Sequence, residues 1–258
     1  MPASLFDLAE RVALVTGATG GLGSSIVEQL SAHGATVLLS DLQAAPCERS
    51  AQRLRESGNV AHALPCDVSQ RSSVDALAAA ARQLTGGIDI LVCNAGVQGP
   101  AGPIGARTDE DWQQVMDTNL RSALWLTSAL LPGMAQRGGG SVVLLSSIAG
   151  IRGNKAIGLY GLSKAALAQL ARNLAVEWGP KNIRVNAISP GLIRTPLAAG
   201  LMADDAFMQR RLSLTPLRRV GEPEEIAGAV VMLAGRAGGF ISGHNLVIDG
   251  GTTISDGN

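Results

Sequence analysis

The sequence is poor in aromatic residues, in lysine and in cysteine. Its 258 residues include three tryptophans, three phenylalanines and a single tyrosine, Tyr160. Only three of the 21 basic residues are lysines, so arginine carries most of the positive charge. Cys47, Cys66 and Cys93 are far apart, and an odd number without a CxxC pair predicts reduced thiols rather than a disulfide framework. We therefore expect a cytoplasmic protein.

The sequence also lacks an excess of charge of either sign, since 21 basic residues balance 21 acidic residues. A neutral chain is not expected to bind nucleic acid or an anionic membrane surface. We interpret the doublets Arg210-Arg211 and Arg218-Arg219 as solvated surface. The three histidines show no metal-ligand spacing, so no metal site is expected. There is no signal-peptide pattern and no apolar run of about 18 residues, so we expect no membrane span. With nucleic acid and membrane surfaces disfavoured, we expect a small-molecule partner.

Short apolar runs alternate with segments of helical period along the whole chain. Runs such as RVALVTG and ATVLLSD precede helical segments such as SSIVEQLSAHG, and HNLVIDGG is the seventh run. This alternation predicts one doubly wound (Rossmann-type) α/β domain over residues 1–258, with a seven-stranded parallel sheet flanked by helices on both faces. Thr108 and Asp111 resemble a capping box that begins the helix carrying Asn119.

The first chemical signal is the segment TGATGGLG, which follows one strand and opens a helix. Gly17, Gly21 and Gly23 would let a phosphate approach the backbone at the helix N-terminus, although a glycine cluster alone could also be a tight turn. Asp41 ends the second strand, where its carboxylate could bind the ribose hydroxyls of adenosine or cap a helix. The same charge would repel a 2'-phosphate, and the glycine loop contains no basic residue. The sequence therefore predicts NAD(H) rather than NADP(H).

The third and fourth predicted strands end in CDV and CNAG. Asp67 and Val68 follow one strand, and Asn94, Ala95 and Gly96 follow the other. The carboxyl ends of parallel strands form the crevice in which such sheets bind ligands, although either segment could be ordinary turn chemistry. Their shared location predicts that both line the dinucleotide site.

The single tyrosine lies four residues before a lysine in YGLSK, so Tyr160 and Lys164 project from one face of a helix. A buried phenol beside a lysine stem would explain the pair without function. A cation about 5 Å away, at an effective dielectric near 20, would favour the phenolate by roughly 3 kcal/mol, or about two pKa units. On this argument Lys164 lowers the pKa of Tyr160 and makes it a usable acid/base.

Two further polar residues stand in apolar surroundings near this pair. Ser147 ends the strand SVVLLSS and could bind the substrate oxygen, with Ser146 as its rival, and either could simply cap the strand. Asn119 lies in an otherwise apolar helix, where it is unfavourable unless its amide has buried partners. We predict that Asn119 and Ser147 belong to the catalytic site.

In this order, from Arg11 to Gly251, these segments resemble the short-chain dehydrogenase/reductase family, in its single-domain branch. The resemblance implies a homotetramer and the catalytic residues Asn119, Ser147, Tyr160 and Lys164. Ser147 would hold the substrate oxygen, Tyr160 would exchange its proton, and Lys164 with a water ordered by Asn119 would pass the proton on as hydride reaches the nicotinamide. Cys93 departs from the family, which commonly has asparagine there. The implied dinucleotide-binding residues are Gly17, Thr19, Gly21, Leu22, Gly23, Asp41, Leu42, Asp67, Val68, Asn94, Ala95, Gly96, Tyr160, Lys164, Pro190, Gly191, Ile193 and Thr195.

The substrate is less clearly indicated. Residues 192–216 interrupt the alternation and are expected to form a lid over the nicotinamide. Arg152, Asn154, Lys155 and Gln98 are polar, which favours a sugar, polyol or hydroxy acid, and the cations could meet an anionic group or face solvent. The residues expected to contact the substrate are Ser147, Gln98, Arg152, Asn154 and Tyr160.

Two other functions suit parts of the sequence. An NADPH-dependent 3-oxoacyl-carrier-protein reductase would fit the length and the segment RVNAISPG, but Asp41 weighs against it. A dinucleotide-binding regulator without turnover is disfavoured by the complete catalytic set. The prediction is an NAD-dependent enzyme that interconverts a secondary alcohol and a ketone.

Overall fold

The computed structural model describes residues 4–255 and contains one seven-stranded sheet in which all neighbouring strands are parallel, as predicted. The strand order is β3-β2-β1-β4-β5-β6-β7. The strands are β1 (Val12–Thr16), β2 (Thr36–Ser40), β3 (Ala61–Ala63), β4 (Ile90–Cys93), β5 (Gly140–Leu145), β6 (Ile183–Pro190) and β7 (Asn245–Ile248). The helices are α1 (Gly21–Ala32), α2 (Ala44–Glu56), α3 (Arg71–Thr85), α4 (Asp109–Met116), α5 (Ser122–Gln136), α6 (Gly158–Trp178), α7 (Ala199–Met202), α8 (Asp205–Ser213) and α9 (Pro223–Ala234).

The central strands are apolar along their whole length because helices cover both faces of the sheet. Every residue of β1 and β4 is buried. Leu14 points to the layer that contains α3, α5 and α6, where it joins a core with Val74 and Leu126. The next residue, Val15, points to the opposite layer and packs in a core with Ile26 of α1. The strand order reverses between β1 and β4, which is where doubly wound sheets bind ligands.

The helix predicted to begin at Thr108 does so through the expected capping box. The Thr108 amide donates to the Asp111 carboxylate at 3.1 Å, and the Asp111 amide donates to the Thr108 hydroxyl at 3.2 Å. The helix does not continue evenly into α5, because a π turn over Asp117–Arg121 separates α4 from α5. Single π turns inside helices are frequent at functional sites.

The predicted lid segment folds as short helices rather than as an irregular loop. It contains a 3-10 turn over Pro196–Ala198, followed by α7 and α8. Cys47, Cys66 and Cys93 are buried free thiols, as predicted. Within residues 4–255, no helix is both long enough and apolar enough to cross a lipid bilayer.

Candidate functional site

A cleft of about 1020 Å³ lies at the carboxyl ends of the strands. Its walls come from the glycine loop, the ends of the central strands, α4, α6 and the segment after β6. Most of the predicted site residues line it, but Gly23 and Asn119 lie behind the wall. The predicted residues in the wall are Gly17, Thr19, Gly21, Leu22, Asp41, Leu42, Asp67, Val68, Asn94, Ala95, Gly96, Gln98, Ser147, Arg152, Asn154, Tyr160, Lys164, Pro190, Gly191, Ile193 and Thr195.

The glycine loop is held in one shape by its own packing. Gly17 has a positive φ of 63°, and a Cβ atom on Gly23 would overlap with the Gly17 carbonyl oxygen. The Asn94 amide nitrogen donates to the carbonyls of Thr16 and Gly17 at 3.1 and 2.9 Å. Gly23 does not line the cleft, but its missing side chain lets α1 begin directly against the loop.

The Asp41 carboxylate closes the cleft at the end of β2. One oxygen accepts hydrogen bonds from the Thr19 amide at 2.9 Å and the Thr19 hydroxyl at 2.7 Å, and the other accepts from the Leu42 amide at 2.8 Å. Asp41 does not cap α2, whose N-cap residue is Gln43. The glycine loop thus fixes a negative charge at this end of the cleft.

The ends of β3 and β4 reach the same wall. The Asp67 carboxylate accepts hydrogen bonds from the amide and the hydroxyl of Ser69, at 3.0 and 2.7 Å. Val68 beside it is buried, and Cys93 lies at the end of β4. Ser69 and Gln70 also line the cleft and were not predicted, because their sequence shows only ordinary turn residues.

Tyr160, Lys164 and Ser147 form a compact group where α6 meets the end of β5. The Lys164 Nζ atom lies 5.5 Å from the centre of the Tyr160 ring and donates a 2.6 Å hydrogen bond to the Leu145 carbonyl. The Ser147 hydroxyl lies close enough to the Tyr160 phenol to influence its pKa. The side chain of Lys164 is buried, whereas Tyr160 is half-buried and lines the cleft.

The pKa of Tyr160 moves in the direction opposite to the prediction. Burial raises the pKa of the phenol above 10, and the hydrogen bond from Ser147 opposes this shift. Burial also lowers the pKa of Lys164 to about 8, although the nearby Cys93 thiol counteracts the shift. Below about pH 8, Lys164 thus carries its charge while Tyr160 is still protonated. At neutral pH, Tyr160 is a protonated phenol that can act as a general acid.

The two serines at the end of β5 have different partners. The Ser146 hydroxyl is buried and donates to the Lys164 carbonyl at 2.7 Å, which ties α6 to the sheet. The Ser147 hydroxyl accepts from the Ala149 amide at 3.1 Å and lies beside the Tyr160 phenol. Ser147, rather than Ser146, is placed to contact a substrate oxygen.

Asn119 is engaged by the protein rather than exposed in the cleft. Its amide nitrogen donates to the Val97 carbonyl and to the Ser163 hydroxyl, both at 2.9 Å, and its amide oxygen accepts from the Val97 amide at 2.8 Å. The amide thus has the buried partners that a polar side chain in an apolar helix requires, and a water ordered by Asn119 stays a prediction. Asn119 fixes the segment after β4 against α6, close to Lys164: a Cβ on Gly96 would lie 3.2 Å from the Asn119 oxygen and 3.3 Å from the Lys164 Nζ.

The substrate side of the cleft combines polar and apolar walls. Gln98 and Arg152 are half-buried in the wall, whereas Lys155 is exposed and lies outside it. Asn154 lines the cleft, but its oxygen already accepts from the amides of Ala156 and Ile157 at 2.9 and 3.2 Å. The segment predicted to be a lid contributes Leu192, Leu197, Leu201, Phe207 and Arg211.

Arg211 contradicts the interpretation of its doublet as solvated surface. Arg210 is exposed, but Arg211 is half-buried and lines the cleft. Two adjacent arginines carry no sequence signal that tells which one faces inward, because α8 itself was not predicted.

Comparison with known proteins agrees with this geometry. A family profile described as enoyl-(acyl carrier protein) reductase matches residues 17–253. Dehydrogenase/reductase SDR family member 4 from Oryctolagus cuniculus is 38% identical over 244 residues, which cover 95% of this chain and 94% of the relative.

Solved structures are similar over almost the whole chain. A gluconate 5-dehydrogenase from Burkholderia cenocepacia J2315 in complex with NADP and tartrate is 31% identical, with a TM-score of 0.93 and coverage of 97% of this chain and 98% of the other. A 7α-hydroxysteroid dehydrogenase complexed with NADH and 7-oxo glycochenodeoxycholic acid is 34% identical, with the same TM-score and the same coverage. The chain therefore belongs to the short-chain dehydrogenase/reductase family of NAD(P)-binding oxidoreductases.

Proposed function

We propose that the protein is an NAD(H)-dependent oxidoreductase that interconverts a secondary alcohol and a ketone. The observation that carries this proposal is the placement of the Tyr160 phenol beside the Ser147 hydroxyl and Lys164, in the wall of a cleft whose other end holds the Asp41 carboxylate. The proton donor and the charge expected to select the cofactor thus share one cavity.

The cleft suits a dinucleotide in size and in chemistry. Its volume of about 1020 Å³ is at the upper end of the roughly 300–1,000 Å³ that is usual for ligand pockets. The N-cap residue of α1, Gly20, provides no side-chain cap, and a Cβ there would meet nothing within 4 Å. The first amides of α1 can therefore bind a diphosphate, which the positive end of the helix dipole favours.

In the proposed reaction the protein controls the position of the substrate and one proton. The Ser147 hydroxyl holds the substrate oxygen, and the Tyr160 phenol donates its proton to that oxygen during ketone reduction. In alcohol oxidation, Tyr160 in its ionised form accepts the proton from the carbinol hydroxyl. A bound nicotinamide supplies the hydride donor or acceptor. Lys164 is the titratable neighbour that can return a proton to Tyr160.

The choice of NAD(H) over NADP(H) depends on Asp41. The two solved relatives are complexes with NADP and with NADH, so likeness alone supports either cofactor. A carboxylate held by Thr19 at the end of β2 can accept hydrogen bonds from ribose hydroxyls and would repel a 2'-phosphate. The same argument disfavours the NADPH-dependent 3-oxoacyl-carrier-protein reductase.

A sugar, polyol or hydroxy acid remains the proposed substrate. Gln98, Gln113, Gln114 and Arg152 give the cleft that contains Ser147 several polar side chains, and the similarity to a gluconate 5-dehydrogenase supports this class. Residues 192–216 would cover such a substrate as a lid.

Replacement of the phenol tests the proposal directly. With NAD and a panel of sugars, polyols and hydroxy acids, the wild-type protein should oxidise at least one compound. Tyr160→Phe should lower kcat for that compound by about 10²- to 10⁴-fold, because it removes only the exchangeable proton. NADH binding, followed by fluorescence, should not change.

Substantial activity of Tyr160→Phe would remove the acid/base assignment. Binding of NADH without oxidation of any compound in the panel would instead favour the non-catalytic regulator.

Our proposal includes a homotetramer in the cytoplasm. Apolar side chains that are exposed on the single chain support assembly, among them Leu162 and Val176 of α6 and Phe240 before β7. The molar mass in solution tests this part, because a monomer of 26.4 kDa would contradict it.

A further inference from the structure

Two arginines in the cleft have no partner for their guanidinium groups within residues 4–255. Arg152 follows the short turn after β5, and Arg211 lies on α8. Both are half-buried and line the same cavity as Ser147 and Tyr160. We propose that Arg211 and Arg152 bind a carboxylate of the substrate, so that the enzyme acts on a hydroxycarboxylic acid. This inference depends on the proposed dehydrogenase function and specifies its substrate class.

The two residues differ from the other arginines of the chain. Most arginines have a carboxylate, amide or carbonyl partner, such as Glu222 for Arg194 and Glu225 for Arg219. The unpaired arginines other than Arg152 and Arg211 are exposed to solvent, so water can satisfy them. Among residues 4–255, the arginines without a guanidinium partner are Arg49, Arg82, Arg152, Arg210, Arg211 and Arg236.

The Arg211 guanidinium contains a buried donor with no acceptor. Its Nε atom is shielded from solvent and makes no hydrogen bond. The Nε atom of Arg107, outside the cleft, is buried in the same way, so a ligand in the cleft would reach the terminal nitrogens of the half-buried Arg211 rather than its Nε. Arginine presents a planar fork of donors that matches both oxygens of a carboxylate.

The carboxylates around Arg211 do not supply that acceptor. None in the described part of the chain lies within 4.0 Å of its guanidinium. Arg211 also borders a small cavity of about 80 Å³ with Glu225 and Asp249. Glu225 is paired with Arg219 at 2.6 Å, and Asp249 accepts from the amides of Gly251 and Thr253 at 2.8 and 2.7 Å.

The acidic residues of the cleft are likewise engaged. On α4 and the π turn, Asp117 is paired with Arg121 at 2.7 Å, and Glu110 is exposed, so water hydrates its carboxylate. The carboxylates of the cleft therefore leave Arg211 available for an anionic ligand.

The position of Arg152 separates this site from the adenosine end of the cleft. Arg152 follows β5, whereas Asp41 follows β2, and β1 and β4 lie between them. Three strand intervals correspond to about 14 Å. A 2'-phosphate of the cofactor would lie beside Asp41, so it is not the anion that the arginines bind. The substrate carboxylate would lie in the same cavity as Tyr160, where the reacting carbon is expected.

The test compares hydroxycarboxylates with their uncharged amides as substrates. Wild-type enzyme should prefer the acid by about 10- to 100-fold in kcat/KM, the range expected for charge-assisted hydrogen bonds. Arg211→Gln should abolish most of this preference through a higher KM, with NADH binding unchanged, and Arg152→Gln should reduce it. Arg210→Gln is the matched control, because it removes the same charge from the exposed neighbouring position of α8 and should keep the preference.

Several outcomes would overturn the carboxylate site while leaving the dehydrogenase function intact. These are oxidation of neutral alcohols but of no hydroxy acid, equal use of acid and amide by the wild type, or equal loss in Arg210→Gln and Arg211→Gln. If no compound is oxidised at all, the proposed function fails. The carboxylate site can then still be tested by isothermal titration calorimetry, with tartrate added to the protein and NADH. Binding that disappears in Arg211→Gln supports the site, and no binding at millimolar tartrate overturns it. Melting temperatures of the variants exclude misfolding as the cause.

Discussion

At the scale of single residues, the fold moves the pKa values of Tyr160 and Lys164 away from each other. Both side chains lose water, which disfavours the phenolate and the ammonium alike. The sequence places the two groups one helical turn apart, but it does not tell how much water each group loses. The direction of the Tyr160 shift could therefore not be predicted from spacing alone.

Tyr160 should titrate above the pKa of a free phenol in the protein without ligands. The chain has a single tyrosine, so tyrosinate absorbance reports this group alone, and Tyr160→Phe provides the blank. We expect a midpoint above about 10 and a rate of alcohol oxidation that rises with pH, because oxidation needs the ionised phenol. A midpoint near 8 would show instead that Lys164 keeps its charge and lowers the pKa of the phenol.

Lys164→Met should make the protein inactive or nearly so, but more stable at pH 7. The native pKa of Lys164, about 8, is below its usual value of 10.5, and this difference corresponds to about 3 kcal/mol. Loss of the hydrogen bond to the Leu145 carbonyl offsets part of the gain, so we expect about 1–3 kcal/mol from denaturant unfolding.

The pH dependence of this stability gain tests whether the native state lowers the pKa of Lys164. Between pH 8 and 10.5 the unfolded state holds the Lys164 proton and the native state does not, so wild-type stability rises with pH relative to Lys164→Met. The difference in unfolding free energy between Lys164→Met and the wild type should therefore become smaller from pH 8 to 10.5. Lys181→Met is the control, because Lys181 is exposed and should give no pH-dependent difference. A gap that stays constant from pH 7 to 10.5 would contradict the lowered pKa.

At the scale of elements, the strands were predictable and the irregular segments were not. Runs such as RVALVTG are continuously apolar because β1 is covered on both faces, and this pattern is local. The π turn at Asp117–Arg121 contains Asn119, whose side chain is hydrogen-bonded to Val97 and Ser163, residues that are distant in sequence. The segment that contains α7 and α8 has no clear helical period, so the inward position of Arg211 had no sequence signal.

The glycine loop and α1 should not tolerate a single added methyl group at their junction. In Gly23→Ala the Cβ would overlap with the Gly17 carbonyl, which is backbone and cannot move without displacing the loop. We expect a loss of about 1–3 kcal/mol in unfolding free energy and weaker NADH binding. Gly228→Ala in α9 is the control, because nothing lies within 4 Å of its Cβ and alanine should stabilise that helix by about 0.5–1 kcal/mol. Equal stability of the two variants would mean that the loop is not tightly packed.

At the scale of the whole molecule, one sheet sets the distance between the two ends of the cleft. Asp41 follows β2 and Ser147 follows β5, so a dinucleotide that contacts both spans four neighbouring strands. A ligand that binds the folded state across these strands stabilises the whole fold, because the strands unfold together. The sequence predicted that these motifs share one crevice at the carboxyl ends of the strands, but it did not predict the strand order that sets their separation.

NADH should raise the melting temperature more than NADPH does at the same concentration, because the Asp41 carboxylate would repel the 2'-phosphate of NADPH. At 100 times its Kd a ligand contributes about 2.7 kcal/mol, which for a chain of this size corresponds to roughly 5–10 °C. Asp41→Asn should narrow the difference between the two cofactors, because a neutral amide no longer repels a 2'-phosphate but still accepts a hydrogen bond from Thr19. Asp75→Asn is the matched control, since Asp75 is exposed on α3 and pairs with Arg71 outside the cleft. A larger shift with NADPH in the wild type, or an unchanged difference in Asp41→Asn, would show that the carboxylate at the end of β2 does not select the cofactor.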